Sequence, residues 1–387
     1  MRLRPVTLFR HVYRQAEAAR NALRPMKTLR TVILIALLAV PAVAADELRP
    51  VREKLGPYRV DIRQTSVSGL SAGGFMAGQF LVAYSGILSG AGIFAGGPYG
   101  CARGDLAKAT GDCMARPSLL TDGVMAHLWN KARTLAREGR IDTPDNLKSM
   151  KIFLFAGTND KTVHPDVMER TYDWYRKAGV PESSLNYEKS LPAGHALPTL
   201  NYGNPCTTVS RPPWMNACNY DGAGKALTHI YGPLNPPEPV TGAGGKLIEF
   251  FQKDFVEPQP QTREDLAEQT GLNEFGYTFI PQSCRQGRRC RIHVVFHGCR
   301  QAYDAPSDGI AANSTFGLQM VLHAGYNEWA QTNSIIVVYP QAQKSRANPR
   351  GCFDWWGYLG GEEDAYLTKE APQMKAVRAM IKTLSGK

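Results

Sequence analysis

The stretch that decides the fold is residues 67–77, which read VSGLSAGGFMA. It contains the pattern Gly-x-Ser-x-Gly centred on Ser71, between a strand pattern from Tyr58 to Val67 and a helical pattern from Phe75 to Tyr84. In that context the serine lies on a tight turn, and the two glycines leave room for it. We therefore predict that Ser71 is an exposed nucleophile at the carboxyl end of a strand.

Strand and helix patterns continue to alternate after this turn. Strands are predicted at residues 90–95, 151–156, 185–191, 291–296 and 335–339, and helices at 119–138, 165–178, 318–332 and 371–384. Residues 200–245 are rich in Pro, Gly and Asn and predict a long ordered loop. The alternation predicts an α/β fold with a mostly parallel sheet flanked by helices. We expect a single catalytic domain over residues 46–387, because nothing resembles a flexible linker.

The net charge of +11 is concentrated at the amino terminus. Residues 1–45 hold eight Lys or Arg and one acidic residue, which leaves about +4 for the remainder. That excess is too small to predict a nucleic-acid partner. With 43% hydrophobic and 20% charged residues, the chain is expected to be globular and not disordered.

The same amino-terminal region has the pattern of an export signal. Residues 31–40 read TVILIALLAV, an apolar run that follows a basic segment and precedes small residues at Ala42 and Ala44. This predicts a signal peptide over residues 1–45, with Met26 as an alternative start. The run is too short to span a membrane. We expect a secreted or periplasmic protein with no integral membrane segment in its mature part.

All eight cysteines follow the predicted cleavage site, and an even number in an exported chain favours disulfides. Taken in order, they form three local pairs and one long-range pair: Cys101/Cys113, Cys206/Cys218, Cys284/Cys290 and Cys299/Cys352. A link from Cys299 to Cys284 or Cys290 is the alternative for the last pair. Zinc is the competing interpretation, but no Cys-x-x-Cys occurs, and we expect no metal.

A serine nucleophile needs a base, and the base needs a carboxylate that orients it. In α/β hydrolases these groups follow in the order Ser, acid, His, each beyond the end of a strand. Asp160 and His195 each follow a predicted strand in that order. Asp166 is the rival acid, but the helical pattern places it inside a helix. His164 is the rival base, but it is too close to Asp160 in sequence to lie across the site.

The oxyanion formed during acyl transfer needs two backbone donors. The first is predicted at Ala72, directly after the serine. The second usually follows a His-Gly pair after an earlier strand, but here the matching segment, VVFHGC, lies far downstream at residues 294–299. The N–H of Cys299 is then the second donor. Since the front half of the fold follows the back half, the order of motifs predicts a circularly permuted α/β-hydrolase fold.

An aromatic cluster follows Cys352 and consists of Phe353, Trp355, Trp356 and Tyr358. Core packing is the commoner role of such a cluster. A hydrolase that acts on an apolar substrate can also use one as a pocket wall. The residues support both interpretations about equally, and Trp355, Trp356 and Tyr358 are candidate substrate-binding residues.

Taken together, VSGLSAGGFMA, AGGPYGCARG, GTNDKTVHP, PAGHALPT, VVFHGCRQ and GCFDWWGY resemble the circularly permuted, single-domain poly(3-hydroxybutyrate) depolymerases of the esterase type. The resemblance spans roughly residues 57–387. It implies a serine esterase that hydrolyses short-chain polyhydroxyalkanoates without a cofactor. Carried over, Ser71 is the nucleophile, Asp160 the acid and His195 the base. The backbone N–H groups of Ala72 and Cys299 form the oxyanion hole, and Trp355 matches a tryptophan near the substrate groove.

Two alternatives to a polyester depolymerase remain. A secreted feruloyl or acetylxylan esterase shares the HGC and Gly-x-Ser-x-Gly elements. A non-catalytic binding protein on a hydrolase scaffold is the other, and the intact Ser, Asp and His argue against it. For the depolymerase we expect a monomer whose partner is a polyester or oligoester substrate.

Overall fold

The central feature of the fold is a nine-stranded sheet, accompanied by a separate three-stranded sheet. The computed structural model describes residues 48–240, 242–306 and 314–387, so the predicted signal peptide lies outside the described residues. The strands are β1 Pro50–Arg52, β2 Val60–Leu70, β3 Leu88–Phe94, β4 Lys151–Phe155, β5 Leu185–Glu188, β6 Leu197–Thr199, β7 Asn204–Pro205, β8 Met215–Ala217, β9 Gly245–Phe251, β10 Phe275–Pro281, β11 Cys290–Phe296 and β12 Ile335–Tyr339.

The large sheet has the strand order β1-β9-β10-β12-β11-β2-β3-β4-β5, and the small one β6-β8-β7. Within the large sheet every neighbouring pair is parallel except the two pairs that β10 makes. The carboxyl ends of β2, β4, β5 and β11 therefore lie along one edge. This arrangement confirms the predicted mostly parallel α/β sheet, and it collects the segments that follow those four strands on one side of the molecule.

The helices connect and cover these strands. They are α1 Ala72–Ala83, α2 Leu106–Thr110, α3 Asp122–Arg137, α4 Pro165–Lys177, α5 Gly222–Tyr231, α6 Arg263–Thr270, α7 Gln282–Arg285, α8 Gln319–His323, α9 Tyr326–Asn333 and α10 Pro372–Ser385. Every residue of α1 is buried, as expected for a helix that is apolar on all sides and packs between layers. Within the described part of the chain, no helix is both long and apolar enough to cross a membrane.

Two local predictions were wrong. Residues 200–245 are not a continuous loop, because they contain α5 and two short strands of the small sheet. The Asp221 carboxylate accepts the Gly224 N–H and so caps α5, which offsets the poor helix propensity of its glycines. The helix predicted at 318–332 is two helices, because Gly325 between them has a φ of +89°.

The carboxyl-terminal helix ends beside the start of β2. The Tyr58 N–H donates a hydrogen bond of 2.8 Å to the Leu384 carbonyl. A Cβ built on Gly386 would lie 3.4 Å from the Cβ of Pro57, so the two segments are in contact. The last helix therefore leads directly toward the strand that carries the serine turn.

A buried polar network joins β2 to β11 below this turn. The imidazole of His293 lies 2.6 Å from the Ser66 hydroxyl at Nδ1 and 2.7 Å from the Ser68 hydroxyl at Nε2. Ser68 also bonds to the Tyr326 hydroxyl, and Ser66 lies 2.6 Å from that of Tyr231. Because these partners are all neutral, nothing in the network compensates a charge on the ring.

We expect this network to make the protein less stable in acid. Burial lowers the pKa of His293 to about 3, whereas an unfolded histidine titrates near ~6.5. As the pH falls below the unfolded value, the unfolded chain binds a proton that the folded chain does not, so the free energy of unfolding decreases. By pH 5 the loss from this residue should be about 2 kcal/mol. Urea unfolding of the wild type and His293→Gln at pH 7 and pH 5 measures it.

The change in the free energy of unfolding between pH 7 and pH 5 also contains contributions from other buried groups. These contributions cancel when the variant is compared with the wild type. His297, with a pKa lowered to about 4 by burial, acts in the same direction. Asp354 acts in the opposite direction, since burial raises its pKa to about 6. His127, which is exposed on α3, offers the control His127→Gln, which should keep the wild-type pH dependence. Equal pH dependence in the His293→Gln variant and the wild type would contradict this explanation.

Candidate active site

Ser71 occupies a strained turn between β2 and α1. Its φ and ψ are 57° and −122°, a conformation that costs a residue with a Cβ on the order of 1–3 kcal/mol. Its N–H donates to the Phe94 carbonyl and its carbonyl accepts from the Phe75 N–H, both at 2.9 Å. A Cβ on Gly73 would lie 2.1 Å from the Phe296 carbonyl oxygen, so this position requires glycine. The turn that Gly-x-Ser-x-Gly predicts is therefore present.

Asp160 and His195 form a buried pair beyond the ends of β4 and β5. The Asp160 Oδ2 lies 2.8 Å from His195 Nδ1, and the two residues are only 1% and 5% exposed. The other carboxylate oxygen accepts the N–H groups of Thr162 and Val163, at 2.8 and 2.9 Å. These three bonds fix the carboxylate, which in turn holds the proton on Nδ1 and leaves Nε2 to act as a base.

The rival residues lie together but outside this pair. The His164 ring caps α4, and its Nδ1 lies 3.6 Å from a carboxylate oxygen of Asp166. Both side chains are largely exposed. The structure therefore brings together the acid and base that the strand ends predict, and not their sequence neighbours.

Backbone hydrogen bonds tie the acid segment to the base segment. The Asn159 N–H donates to the Ala193 carbonyl at 3.0 Å, and the Thr158 N–H donates to Leu191 at 2.9 Å. The Asn159 side-chain amide adds a bond of 2.9 Å to the Pro192 carbonyl. These three hydrogen bonds fix the position of the segment that carries Asp160 relative to the segment that carries His195.

The backbone of His195 is held by the segment that connects β7 and β8 of the small sheet. The His195 N–H donates to the Val209 carbonyl at 2.5 Å. The buried side-chain amide of Asn216 on β8 donates to the carbonyls of Cys206 and Thr208, at 2.9 and 3.0 Å. No local sequence pattern marks Asn216 as part of the site. The Cys206/Cys218 pair, which brackets Asn216 shortly after His195, is the sequence signal that could have drawn attention to this segment.

Gly194 packs tightly against this support, and we expect Gly194→Ala to impair catalysis. An added Cβ would lie 2.1 Å from the Thr208 carbonyl oxygen and 2.3 Å from that of Val209. One segment must move, which displaces the adjacent His195, and a misplacement of this kind costs on the order of 10²-fold in rate. Initial rates on p-nitrophenyl butyrate measure it. Gly56→Ala is the matched control, because an added Cβ there meets nothing within 4 Å. Equal kcat in both variants would contradict the expectation.

The two predicted oxyanion donors lie beside Ser71. Ala72 is the first residue of α1, so its N–H has no partner within the helix and lies at the positive end of the helix dipole. Strand β11 pairs with β2 so that Phe296 faces Gly69. A Cβ built on Gly298 would lie 3.4 Å from the Ser71 Cβ. The segment from Gly298 to Cys299 is therefore adjacent to the serine.

The structure contains the four predicted disulfides, and they use all eight cysteines: Cys101–Cys113, Cys206–Cys218, Cys284–Cys290 and Cys299–Cys352. The alternative link from Cys299 to Cys284 or Cys290 does not form. The last disulfide connects two segments separated by 53 residues, and it joins the segment beside Ser71 to the start of the aromatic cluster.

The aromatic cluster is mostly packed inside the molecule. Trp355 and Trp356 are 5% and 9% exposed. The Trp355 ring stacks on Phe75 of α1, with centroids 3.9 Å apart. The Tyr358 hydroxyl donates to the Cys352 carbonyl at 3.0 Å. Packing within the molecule therefore covers most of the surface of the two tryptophans. Phe75, on which Trp355 stacks, lies one helical turn after Ser71.

Comparison with known proteins identifies the family to which this geometry belongs. No protein-family model matches the chain. A polyhydroxybutyrate depolymerase of Talaromyces funiculosus is 34% identical over 350 residues, which cover 85% of this chain and 92% of the relative. This chain belongs to the polyhydroxybutyrate depolymerase family. Members of this family are carboxylic ester hydrolases, as the resemblance of the sequence motifs predicted.

Another relative and two solved structures agree with this membership. A poly(3-hydroxybutyrate) depolymerase of Delftia acidovorans is 39% identical over 335 residues, which are 86% of this chain but 62% of the relative, so the chain spans less than two thirds of that protein. Two depolymerase structures superpose with a TM-score of 0.73 at 31% identity, covering 86% of this chain and 99% of theirs. One is a PHB depolymerase from Penicillium funiculosum, and the other is a serine-to-alanine variant complexed with an R3HB trimer. These neighbours confirm the α/β-hydrolase type of fold.

Proposed function

We propose that this depolymerase-family protein hydrolyses ester bonds of poly(3-hydroxybutyrate) or its oligomers through an acyl-enzyme on Ser71. The observation that carries the proposal is the buried 2.8 Å pair between Asp160 and His195, beyond the same sheet edge as the serine turn. An ordered carboxylate, imidazole and serine in this arrangement are the machinery of nucleophilic acyl transfer.

The proposed reaction uses Ser71, His195 and two backbone N–H groups. His195 Nε2 accepts the Ser71 hydroxyl proton as the oxygen attacks the ester carbonyl carbon. The negative oxygen of the tetrahedral intermediate accepts the N–H groups of Ala72 and Cys299. The intermediate collapses when His195 returns the proton to the alcohol that leaves. Water, deprotonated by the same ring, then cleaves the acyl-enzyme and restores the serine.

The relatives support the substrate class. Both curated relatives are named as depolymerases of this polyester, and one structural neighbour was complexed with an R3HB trimer. For this chain we assign Trp355, Trp356 and Tyr358 to a wall of the substrate groove, with only a small part of each tryptophan surface available for contact. The apolar methyl groups of 3-hydroxybutyrate units suit such a wall.

Two further proposals concern where the protein acts and how its fold is connected. The signal pattern in residues 1–45 and the four disulfides favour a secreted or periplasmic protein. The fold is proposed to be a circular permutation of the α/β hydrolase. Strands β9 to β12 all lie on one side of β2 in the sheet, although they follow β2 in the sequence. The Tyr58 N–H bonds to the Leu384 carbonyl, at the point where an unpermuted chain would run from the last helix into β2.

Product analysis tests the proposed function. The protein is incubated separately with a trimer of (R)-3-hydroxybutyrate, with amorphous poly(3-hydroxybutyrate) and with acetylated and feruloylated plant polysaccharide, and the soluble products are identified by mass spectrometry. Release of 3-hydroxybutyrate monomer or short oligomers is expected. Release of acetate or ferulate from plant polysaccharide, with none from the polyester, would instead assign a carbohydrate esterase. Absence of all products, with no labelling of Ser71 by a phosphonate, would assign a non-catalytic binding protein.

A further inference from the structure

His297 is a buried histidine that immediately precedes the segment beside Ser71. Its Nε2 accepts the Ala342 N–H at 3.0 Å, and its Nδ1 lies 2.7 Å from the Gly298 carbonyl oxygen. A backbone N–H can only donate, so Nε2 is an acceptor and carries no proton. In a neutral imidazole the proton is then on Nδ1, which donates to the Gly298 carbonyl. Burial lowers the pKa of His297, which keeps the ring neutral near pH 7.

The carbonyl that this ring holds belongs to the peptide that ends in the Cys299 N–H. In a trans peptide, the C=O and the N–H lie in one plane and point in opposite directions. The cis peptides of the described chain are at Pro212–Pro213 and Glu257–Pro258, so this peptide is trans. Whatever fixes the direction of the Gly298 carbonyl therefore also fixes the direction of the Cys299 N–H.

We propose that His297 is a positioning residue that sets the Cys299 N–H toward the oxyanion formed on Ser71. The inference rests on the proposed function, in which that N–H is the second oxyanion donor. Because Gly298 has no side chain, the Gly298–Cys299 peptide could rotate easily. The hydrogen bond from His297 Nδ1 to the Gly298 carbonyl restricts this rotation on one side of the residue. On the other side the Gly298 N–H donates to Gln301 Oε1 at 2.7 Å. An oxyanion donor is effective only when it is aimed before the charge develops.

Two substitutions separate positioning from simple structural support. In His297→Asn, the side-chain amide can place an N–H near the position of Nδ1 and donate to Gly298, but it loses the bond from Ala342. In His297→Gln, the longer side chain places an oxygen near the position of Nε2, which keeps the Ala342 bond and loses the donor to Gly298. Each variant loses one buried hydrogen bond, so their urea midpoints should be similar.

Their kinetics should differ. With p-nitrophenyl butyrate, we expect His297→Gln to lower kcat on the order of 100-fold with KM changed less than about threefold, because the donor acts in the transition state. We expect His297→Asn to stay within about tenfold of the wild type. Inhibition by a trifluoromethyl ketone, whose adduct carries the oxyanion, should weaken in parallel with kcat/KM. Equal losses in the two variants, or a greater loss in His297→Asn, would overturn the proposal.

The tautomer of the wild-type ring is an independent measurement, and it is decisive if a variant does not fold. Nitrogen-15 NMR of histidine-labelled protein should show His297 neutral with its proton on Nδ1, and a proton on Nε2 would overturn the proposal. The same protein distinguishes this failure from that of the proposed function. If the wild type does not hydrolyse any of the esters tested, the proposed function fails, whereas the tautomer still tests the bond to Gly298.

Discussion

Ser71→Ala is expected to reduce ester hydrolysis by about 10⁴-fold or more while leaving the protein as stable as the wild type. The hydroxyl is the proposed nucleophile, so its removal takes away the oxygen that would carry the acyl group. Alanine keeps the Cβ and therefore the same backbone strain at a φ of 57°. Loss of one partly exposed hydroxyl should change the free energy of unfolding by less than about 0.5 kcal/mol. Rates on p-nitrophenyl butyrate and on the 3-hydroxybutyrate trimer, with urea unfolding, measure both quantities.

Ser183→Ala is the matched control, because Ser183 is exposed on the surface. It should keep full activity. Covalent labelling adds a second check, since a phosphonate should modify the wild type on Ser71 and leave the Ser71→Ala protein unmodified. Substantial turnover by Ser71→Ala would show that another residue is the nucleophile.

Asp160→Asn is expected to lower kcat by about 10³- to 10⁴-fold with little change in the position of His195. The asparagine oxygen can still accept the N–H groups of Thr162 and Val163. Its amide nitrogen then faces His195 Nδ1, and two donors cannot share one bond. The ring adopts the other tautomer, with its proton on Nε2, and can no longer accept a proton from Ser71.

The rival acid provides the control for this substitution. Asp166→Asn makes the same chemical change at an exposed carboxylate near His164. It should leave kcat within about twofold of the wild type, as surface substitutions generally do. A large loss in Asp166→Asn with little in Asp160→Asn would reverse the assignment of the acid.

The residues that local rules can find are those at the ends of strands. Ser71 is marked by its glycines, and Asp160 and His195 follow predicted strands whose carboxyl ends must share one edge in a parallel sheet. The choice of Asp160 over Asp166 follows from the same rule, since a residue in the next helix has already left that edge. These inferences need only short sequence windows and the order of the elements.

The supports of the site depend on partners far apart in sequence, which no local pattern reports. Strands of two or three residues, such as β7 and β8, are too short to show a period. The bond from Ala342 to His297 joins residues 45 positions apart. The hydrogen bonds of Asn216 depend on how the chain turns around the small sheet. The helix break at Gly325 did carry a local signal, an isolated glycine, although many helices tolerate one.

His195, the proposed base, depends on its surroundings differently from Ser71, the proposed nucleophile. Ser71 is held by buried strands, whereas the segment that supports His195 is closed by the Cys206–Cys218 disulfide. If this disulfide is reduced, the strands that hold Ser71 keep their packing, whereas the segment that supports His195 is no longer closed. Full activity would then arise only after oxidation. In a protein proposed to be secreted or periplasmic, this dependence would keep the esterase inactive until it reaches an oxidising compartment.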